Sequence, residues 1–166
     1  MDQKHQTIVT WAEPSVLYAA HKRLTSIDLF RAVRDGEVPI EPGMALLGAT
    51  LTKVEPGEIV MELVPAERHL DQSGTVQPGI LAALTDTAAG YAIHTQVPLG
   101  VRCATLEMQV NLLEPVTIAS GRISVVGRAI RVGARSATCE AKVLDSAGKL
   151  CSLMTATFIV LPPDPA

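Results

Sequence analysis

The sequence predicts an α+β domain in which one buried helix is wrapped by an antiparallel β-sheet. The stretch from Gly79 to Ile93 is apolar or small on nearly every face, which is typical of a buried helix. After the residues Pro98-Leu99-Gly100 the chain is rich in Val, Ile and Thr and often alternates apolar with polar positions, which predicts a series of strands. With 166 residues, 48% of them hydrophobic, the chain can bury a core of its own.

Composition narrows the classes of function. The formal net charge is -3 and no basic stripe is present, so we expect no nucleic-acid partner. The first residues lack the apolar region of a signal peptide, and no apolar run has the length of a membrane span. We therefore expect a cytoplasmic protein with no membrane partner. The three cysteines lack the spacing of a metal site and are expected to be buried thiols in strands: Cys103, Cys139 and Cys151.

The chain is expected to consist of a helical N-terminal extension over residues 1–40 and a single domain over residues 41–166. Ser26 is the expected N-cap of a helix with sequence IDLFRAVRD. A loop is predicted around Pro42, since proline breaks a helix that precedes it.

Strand candidates lie on both sides of the buried helix. ALLGATLTKV and IVMELVPA are joined by Glu55-Pro56-Gly57-Glu58, which has the composition of a turn. Four more candidates follow the helix: CATLEMQVNLL, SGRISVVGRAI, ARSATCEAKVLD and KLCSLMTATFIVL. The helix is predicted to begin at Pro78, because proline is favoured at the first helical position, with Gln77 as its N-cap.

Asp86 is a lone acid in this otherwise uncharged stretch. Burial of an unpaired carboxylate is costly, so such a residue needs a partner or a task. In one interpretation it is hydrogen-bonded to a neighbouring Thr or to backbone where helix meets sheet. In the other it is a general base or nucleophile that faces a cleft. The residues alone leave both interpretations open.

The start of the same helix, around Gln77 to Gly79, offers unpaired N–H groups that can stabilise an oxyanion. Pro78 and Asp86 lie eight positions apart, so their Cα atoms are roughly 12 Å apart along one helix. One helix therefore cannot bring both features to the same carbonyl. If both act on one substrate, they come from two chains, and the site lies at a symmetric dimer interface.

The segment HLDQSGTVQPGILAALTDTAAGYAIHTQVPLGVRCATLEMQVNLLEPV resembles the core of the PaaI-type hotdog-fold acyl-CoA thioesterases. The resemblance extends over roughly residues 26–161 and rests on Gly74, Gln77, Gly79, Asp86, Gly90, Thr105, Asn111 and Pro115. It implies a hotdog fold, with a five- or six-stranded antiparallel sheet around the 77–94 helix. It further implies a homodimer or homotetramer that hydrolyses an acyl-CoA substrate. Because the sequence has no GxGxxG motif, Walker loop or metal-ligand cluster, we expect no metal and no cofactor besides the substrate's own coenzyme A.

The resemblance also implies roles for individual residues. Asp86 would be the catalytic carboxylate, Gln77 would lie beside the thioester, and the N–H just after Gln77 would polarise the carbonyl from the opposite subunit. Arg128, Arg131 and Arg135 are candidates for binding the phosphates of coenzyme A; the alternative is a solvated strand edge. The residues expected to contact substrate are Asp71, Gly74, Pro78, Thr87, Thr105, Arg128 and Arg131.

Three residues depart from the family's pattern. Pro78 replaces a glycine and has no N–H to donate, so we expect the unpaired N–H of Gly79 to take over as oxyanion donor. Asp71 replaces the usual Asn and either caps its loop or repels an anionic nucleophile. Gly90 stands where some relatives carry a Ser or Thr that holds the water, and Thr87 is the substitute we consider.

Other functions stay open at this stage. The three departures favour a non-catalytic acyl-CoA-binding protein, acting as a sensor or accessory subunit. A hotdog hydratase would need an Asp/His pair in a different local motif, and no His lies close to Asp86 in sequence on the side of the helix where that pair is expected. A Ser–His–Asp hydrolase is not predicted, because none of the four His residues has a Ser or Cys partner in a recognisable motif.

Overall fold

The computed structural model describes residues 4–163; residues 1–3 and 164–166, the outer ends of the predicted extension and domain, lie outside that range. The described residues form four α-helices and six β-strands. In chain order these are α1 (Pro14–His21), α2 (Ser26–Arg34), α3 (Pro42–Leu47), β1 (Thr50–Glu55), β2 (Glu58–Leu63), α4 (Pro78–His94), β3 (Arg102–Leu112), β4 (Ile123–Val132), β5 (Ser136–Leu144) and β6 (Leu150–Leu161).

The strands form one antiparallel sheet in the order β1-β2-β4-β5-β6-β3. Helix α4 packs against strands β2 to β6, and α2 packs against β1. The fold predicted from the sequence, a sheet wrapped around one central helix, is confirmed with six strands.

Small residues allow α4 to lie close to the sheet. Ala88 and Ala89 are fully buried, and the strand residue that faces them is Gly127. A Cβ atom at Gly127 would lie 2.3 Å from the backbone carbon and oxygen of Ala88. The glycine is therefore required by the approach of the helix backbone to the strand, and the position of α4 over β4 depends on it.

We expect Gly127→Ala to destabilise the protein by about 3 kcal/mol, because the added methyl forces helix and sheet apart in a close-packed core. Urea denaturation measures the change. Gly43→Ala is the matched control, since a Cβ at Gly43 meets nothing within 4 Å. Equal stability of the two variants would show that the helix can shift without cost.

The first predicted strand candidate is wrong at its beginning. Pro42 starts helix α3 instead of lying in a loop, and Ala45 to Leu47 belong to that helix. Gly48, with φ of 76°, ends the helix, and the strand begins at Thr50. The physical reason is that a short apolar run is compatible with either a helix or a strand, and the proline at the first turn favours the helix here.

The predicted cap of α2 is also wrong by one residue. Thr25 is the N-cap, and its side-chain oxygen accepts a hydrogen bond from the N–H of Asp28 at 3.3 Å. Ser26 is the first helical residue and is buried. Leu29 and Phe30 supply most of the buried face that joins this helix to the core.

The cysteines lie in strands as expected. Cys139 and Cys151 are buried, Cys103 is only partly buried, and all three are free thiols. Within residues 4–163, no helix combines the length and the apolar character that a membrane crossing requires.

Strand β3 forms one edge of the sheet and is exposed along most of its length. Three of its apolar side chains are open to solvent: Leu106 is 62% exposed, Met108 45% and Leu112 49%. A bulge between Thr105 and Glu107 interrupts the register with β6. A long edge strand with exposed apolar residues is a ready surface for pairing with another chain.

Candidate active site

Asp86 lies midway along α4, half-buried, where the helix faces the edge strand β3. Its Oδ1 accepts a hydrogen bond from the Thr105 hydroxyl at 2.8 Å. This contact agrees with the first interpretation given above, in which the acid is hydrogen-bonded to a Thr where helix meets sheet. It also holds one carboxylate oxygen in place, so that the second oxygen can accept a proton or attack a carbon. The geometry alone therefore agrees with both interpretations.

The charge of Asp86 acts on a buried thiol, that of Cys139 on β5. Burial raises the pKa of Cys139 to about 12, and the negative charge of Asp86 adds to the effect. The thiol therefore stays protonated near neutral pH and is a poor nucleophile. Of these two neighbours, the carboxylate is the group suited to chemistry.

The N-terminus of α4 begins as predicted, with Gln77 as N-cap and Pro78 in the first turn. The expected unpaired N–H of Gly79 is wrong, however. This N–H donates to Oε1 of Gln77 at 2.5 Å. Gln77 therefore caps the helix with its own side-chain oxygen, in the place where a Ser, Asp or Asn oxygen is usual.

The same arrangement leaves the other half of the Gln77 amide available. With Oε1 occupied by the N–H of Gly79, the Nε2 group still carries two hydrogens that can donate. Gln77 and Pro78 are exposed, so a ligand from outside the chain can reach them.

Asp71 caps the loop that leads into α4. It accepts hydrogen bonds from the N–H of Ser73 at 2.8 Å, the N–H of Thr75 at 3.2 Å and the hydroxyl of Thr75 at 3.1 Å. These bonds hold the pKa of Asp71 below its usual value. Gly74 has φ of 78°, which favours glycine. Loop capping by Asp71 is confirmed, while substrate contact by Asp71 and Gly74 stays a prediction.

A second group of polar residues lies on α4 beyond Asp86, and the sequence reasoning missed it. Tyr91 donates to a carboxylate oxygen of Glu41 at 2.8 Å. His94 lies 2.8 Å from the carbonyl of Gly90 through Nδ1 and accepts from the N–H of Cys103 on β3 at 3.2 Å through Nε2. Tyr91 and His94 are the large polar residues in a helix half that is otherwise small and apolar. This contrast in the sequence could have marked them as candidate functional residues.

Three comparisons place the chain among known proteins. The family model described as Thioesterase superfamily matches residues 73–152. A mutant of the phenylacetic acid degradation protein PaaI from Thermus thermophilus is 30% identical, with 72% of this chain and 98% of that chain covered and a TM-score of 0.65. The chain belongs to the thioesterase superfamily. Its fold and this relative place it in the PaaI-type hotdog branch of that superfamily.

Two further relatives agree. A phenylacetic acid degradation-related protein from Ralstonia eutropha JMP134 is 25% identical over 78% of this chain and 98% of that one, with a TM-score of 0.70. A Halobacterium salinarum protein provisionally named as an esterase is 28% identical over 63% of this chain and 70% of its own length. Membership in the thioesterase superfamily supports a hydrolase role in general terms.

Two of the candidate arginines of this superfamily member lie on the sheet face opposite α4. Arg128 donates to Glu58 at 2.7 Å and follows Gly127, which faces α4. The bulge between Ala129 and Arg131 returns Arg131 to the face of Arg128. Strand β2 pairs with β4 only as far as Arg128, so Arg128 lies on a solvated sheet face, whereas Arg131 lies beyond the end of β2 and agrees with the alternative of a solvated strand edge. Contact of Arg128, Arg131 or Arg135 with coenzyme A stays a prediction.

Thr87 lies half-buried next to the acid on α4, but the hydroxyl that contacts Asp86 belongs to Thr105. The role considered for Thr87 therefore stays a prediction. In the part of this thioesterase-superfamily chain that the structure describes, no three His, Cys, Asp or Glu side chains come together as a metal site.

Proposed function

We propose that the protein hydrolyses an acyl-CoA thioester to a free acid and coenzyme A, at a site formed by two copies of the chain. The observation that carries the proposal is the half-buried carboxylate of Asp86, held by Thr105 at 2.8 Å beside an exposed edge strand. Membership in the thioesterase superfamily supports the reaction class.

The proposed dimer forms through β3. Leu106, Met108 and Leu112 expose apolar surface along this edge, and residues 82, 83, 86 and 87 leave the adjacent flank of α4 half-covered. Pairing β3 with its own copy about a two-fold axis would cover both surfaces and satisfy the unpaired backbone groups of the edge. The same pairing would bring the N-terminus of α4 in one subunit towards Asp86 of the other subunit. Within one chain, the N-terminus of α4 is too far from Asp86 to share a substrate with it.

In the proposed reaction, Asp86 accepts a proton from water while the water oxygen attacks the thioester carbon. The Thr105 hydroxyl keeps the carboxylate oriented, and direct attack by Asp86 is the variant route. A C–O bond forms, and the electron pair of the C=O bond moves to the oxygen. The pair then returns to re-form C=O as the C–S bond breaks, and the proton held by Asp86 passes to the departing sulfur of coenzyme A.

The oxyanion needs a donor, and Pro78 supplies none. Because the N–H of Gly79 is engaged by Oε1, we assign the donor role to Nε2 of Gln77 from the partner subunit. A side-chain amide can fill this role as a backbone N–H does. Gly79 then contributes indirectly, because its N–H fixes the glutamine in the donating orientation.

The second candidate function is acyl-CoA binding without hydrolysis. The observation that favours it is the helix start itself, where Pro78 has no N–H and the N–H of Gly79 is already paired. A protein of this kind would bind acyl-CoA at the same surface and release no thiol.

The test combines an acyl-CoA panel, followed by thiol release, with a variant of the edge strand. We expect the wild type to be at least a dimer with turnover, and Met108→Glu to be monomeric and inactive, because two charges would face each other across the edge. Val64→Glu is the control, since Val64 is 53% exposed outside β3. A fully active monomer would contradict the shared site, and binding without turnover in the wild type would favour the second candidate.

A further inference from the structure

His69 is a buried histidine that the proposed reaction does not use. It ends a short 3-10 helix, Glu67–His69, and is only 2% exposed. Its Nδ1 accepts a hydrogen bond from the N–H of Ala66 at 3.1 Å. The ring is therefore in the neutral form, with its one hydrogen on Nε2. Within residues 4–163, no acceptor meets the buried Nε2 in hydrogen-bond geometry.

The backbone of His69 holds the segment that ends at Gln77. The carbonyl of His69 accepts a hydrogen bond from the N–H of Gln77 at 2.9 Å. Between these two residues the chain forms a hairpin, hereafter the 69–77 hairpin, in which Leu70 pairs with Val76. The side chain of Gln77 is fixed in turn by the N–H of Gly79. The orientation of the Gln77 amide thus depends on both the start of α4 and the position of His69.

Protonation of His69 is incompatible with these contacts. A charged imidazole carries a hydrogen on both nitrogens, so Nδ1 would become a donor that faces the N–H donor of Ala66. Burial lowers the pKa of His69, the charge of Arg68 adds to this shift, and the nearby carbonyl of Leu47 opposes it. The closed hairpin therefore favours the neutral ring.

The charged groups around the ring come from three segments. Arg68, on the same short helix, is the charge that acts on the pKa of the ring. Glu67, also on that helix, pairs with the exposed His5 at 3.3 Å. Asp71 in the hairpin accepts from the N–H groups of its own loop. Helix α3, which brings the Leu47 carbonyl near the ring, consists of the uncharged residues PGMALL.

We propose that His69 is a positioning residue for the oxyanion donor: its neutral imidazole holds the 69–77 hairpin that fixes Gln77, and the charged imidazole releases it. The inference rests on the proposed function, since it takes the amide of Gln77 as the donor. His69 itself touches neither the substrate nor the reacting atoms. Its effect on the reaction passes through the backbone hydrogen bond to Gln77.

The direction of the pH dependence follows from the neutral ring. In an open hairpin His69 takes up a proton with the ordinary histidine pKa of about 6.5. The closed hairpin binds fewer protons than the open one below that pH. Its stability is therefore complete above about pH 6.5 and falls as the pH drops, until the pKa of the closed form is reached. Turnover is expected to fall in the same range, because the donor loses its position.

The first arm of the test measures hydrogen exchange at the N–H of Gln77 by NMR. We expect its protection factor to fall by up to about tenfold per pH unit below pH 6.5. His69→Asn is expected to abolish this dependence, because the asparagine Oδ1 can accept from Ala66 and does not titrate. His5→Asn is the matched control, since it removes an exposed histidine that contacts Glu67. Equal pH dependence in the wild type and His69→Asn would overturn the inference.

The second arm measures thiol release from acyl-CoA. We expect His69→Ala to lower kcat by about tenfold with little change in KM, less than the 10²–10³-fold cost of an absent donor. His69→Asn is expected to restore most of this loss. In a Gln77→Glu background, His69→Ala is expected to have no further effect, because the donor is already absent. A further tenfold loss there would make His69 a general structural residue and overturn the inference.

The pH profile of kcat decides the question if His69→Ala does not fold. We expect kcat of the wild type to fall by about threefold or more from pH 7 to pH 5, and the fall to be smaller in His69→Asn. Identical profiles would overturn the inference even if the wild type hydrolyses acyl-CoA. A wild type that releases no thiol, but whose exchange at Gln77 depends on His69, would contradict the proposed function and support the hold of His69 on the hairpin.

Discussion

Asp86→Asn is expected to abolish hydrolysis and leave the fold intact. The asparagine Oδ1 can still accept from the Thr105 hydroxyl, so the contact between α4 and β3 is kept. What is lost is the oxygen that accepts the proton of water, and removal of a general base typically lowers the rate by about 10²–10⁴-fold. Thiol release at saturating acyl-CoA measures the loss, and thermal unfolding followed by circular dichroism checks the fold.

The control for Asp86→Asn is Asp35→Asn. Asp35 is an exposed carboxylate paired with Arg34 at the end of α2. The substitution Asp35→Asn therefore removes one negative charge, as Asp86→Asn does, but away from the site. Wild-type turnover by Asp86→Asn would remove the acid from the mechanism and leave its bond to Thr105 as a structural contact.

Gln77→Glu is expected to lower turnover while preserving or raising stability. A glutamate can accept from the N–H of Gly79 as the glutamine does, and its charge is favourable at a helix N-terminus. It has no hydrogen to donate to an oxyanion and opposes negative charge there. Loss of one such donor typically costs about 10²–10³ in kcat. Steady-state kinetics and thermal unfolding on the same preparation separate the two effects.

Gln72→Glu controls for the added charge. Gln72 is exposed in the loop before α4, so the variant places a carboxylate near the helix start without altering its cap. If Gln77→Glu kept the wild-type kcat, the oxyanion donor would lie elsewhere, and a Gly79 N–H released by movement of residue 77 would be the next candidate.

The central helix was predictable because its signals are local. Three neighbouring features defined α4: Gln77 as N-cap, Pro78 in the first turn, and the apolar run that follows them. None of them depends on a residue far away in sequence. The contact between Asp86 and Thr105 joins residues nineteen positions apart, and the resemblance to a family, rather than the spacing, pointed to both. The pairing of Gly79 with Gln77 depends on one rotamer, which no sequence pattern specifies.

The features that escaped prediction did so either because the segment is short or because its contacts are distant in sequence. Helix α3 is six residues long, too short for periodicity to distinguish it from a strand. Glu41 lies at its start and meets Tyr91 across fifty residues, so the polar pair appears only once the helices are packed. The position of β3 at the sheet edge follows from the strand order, in which β3 pairs with β6.

Asp86 and Gln77 are proposed to act from different chains, and a mixing experiment tests this arrangement most directly. Asp86→Asn and Gln77→Glu, each inactive alone, are unfolded together, refolded as a mixture and assayed for thiol release. Under the account, each mixed dimer regains one site that combines an intact Asp86 with Gln77 of the partner subunit. Random assortment then restores about a quarter of the wild-type activity. No recovery, with mixed dimers verified by mass, would place both residues in one chain's site and contradict the account.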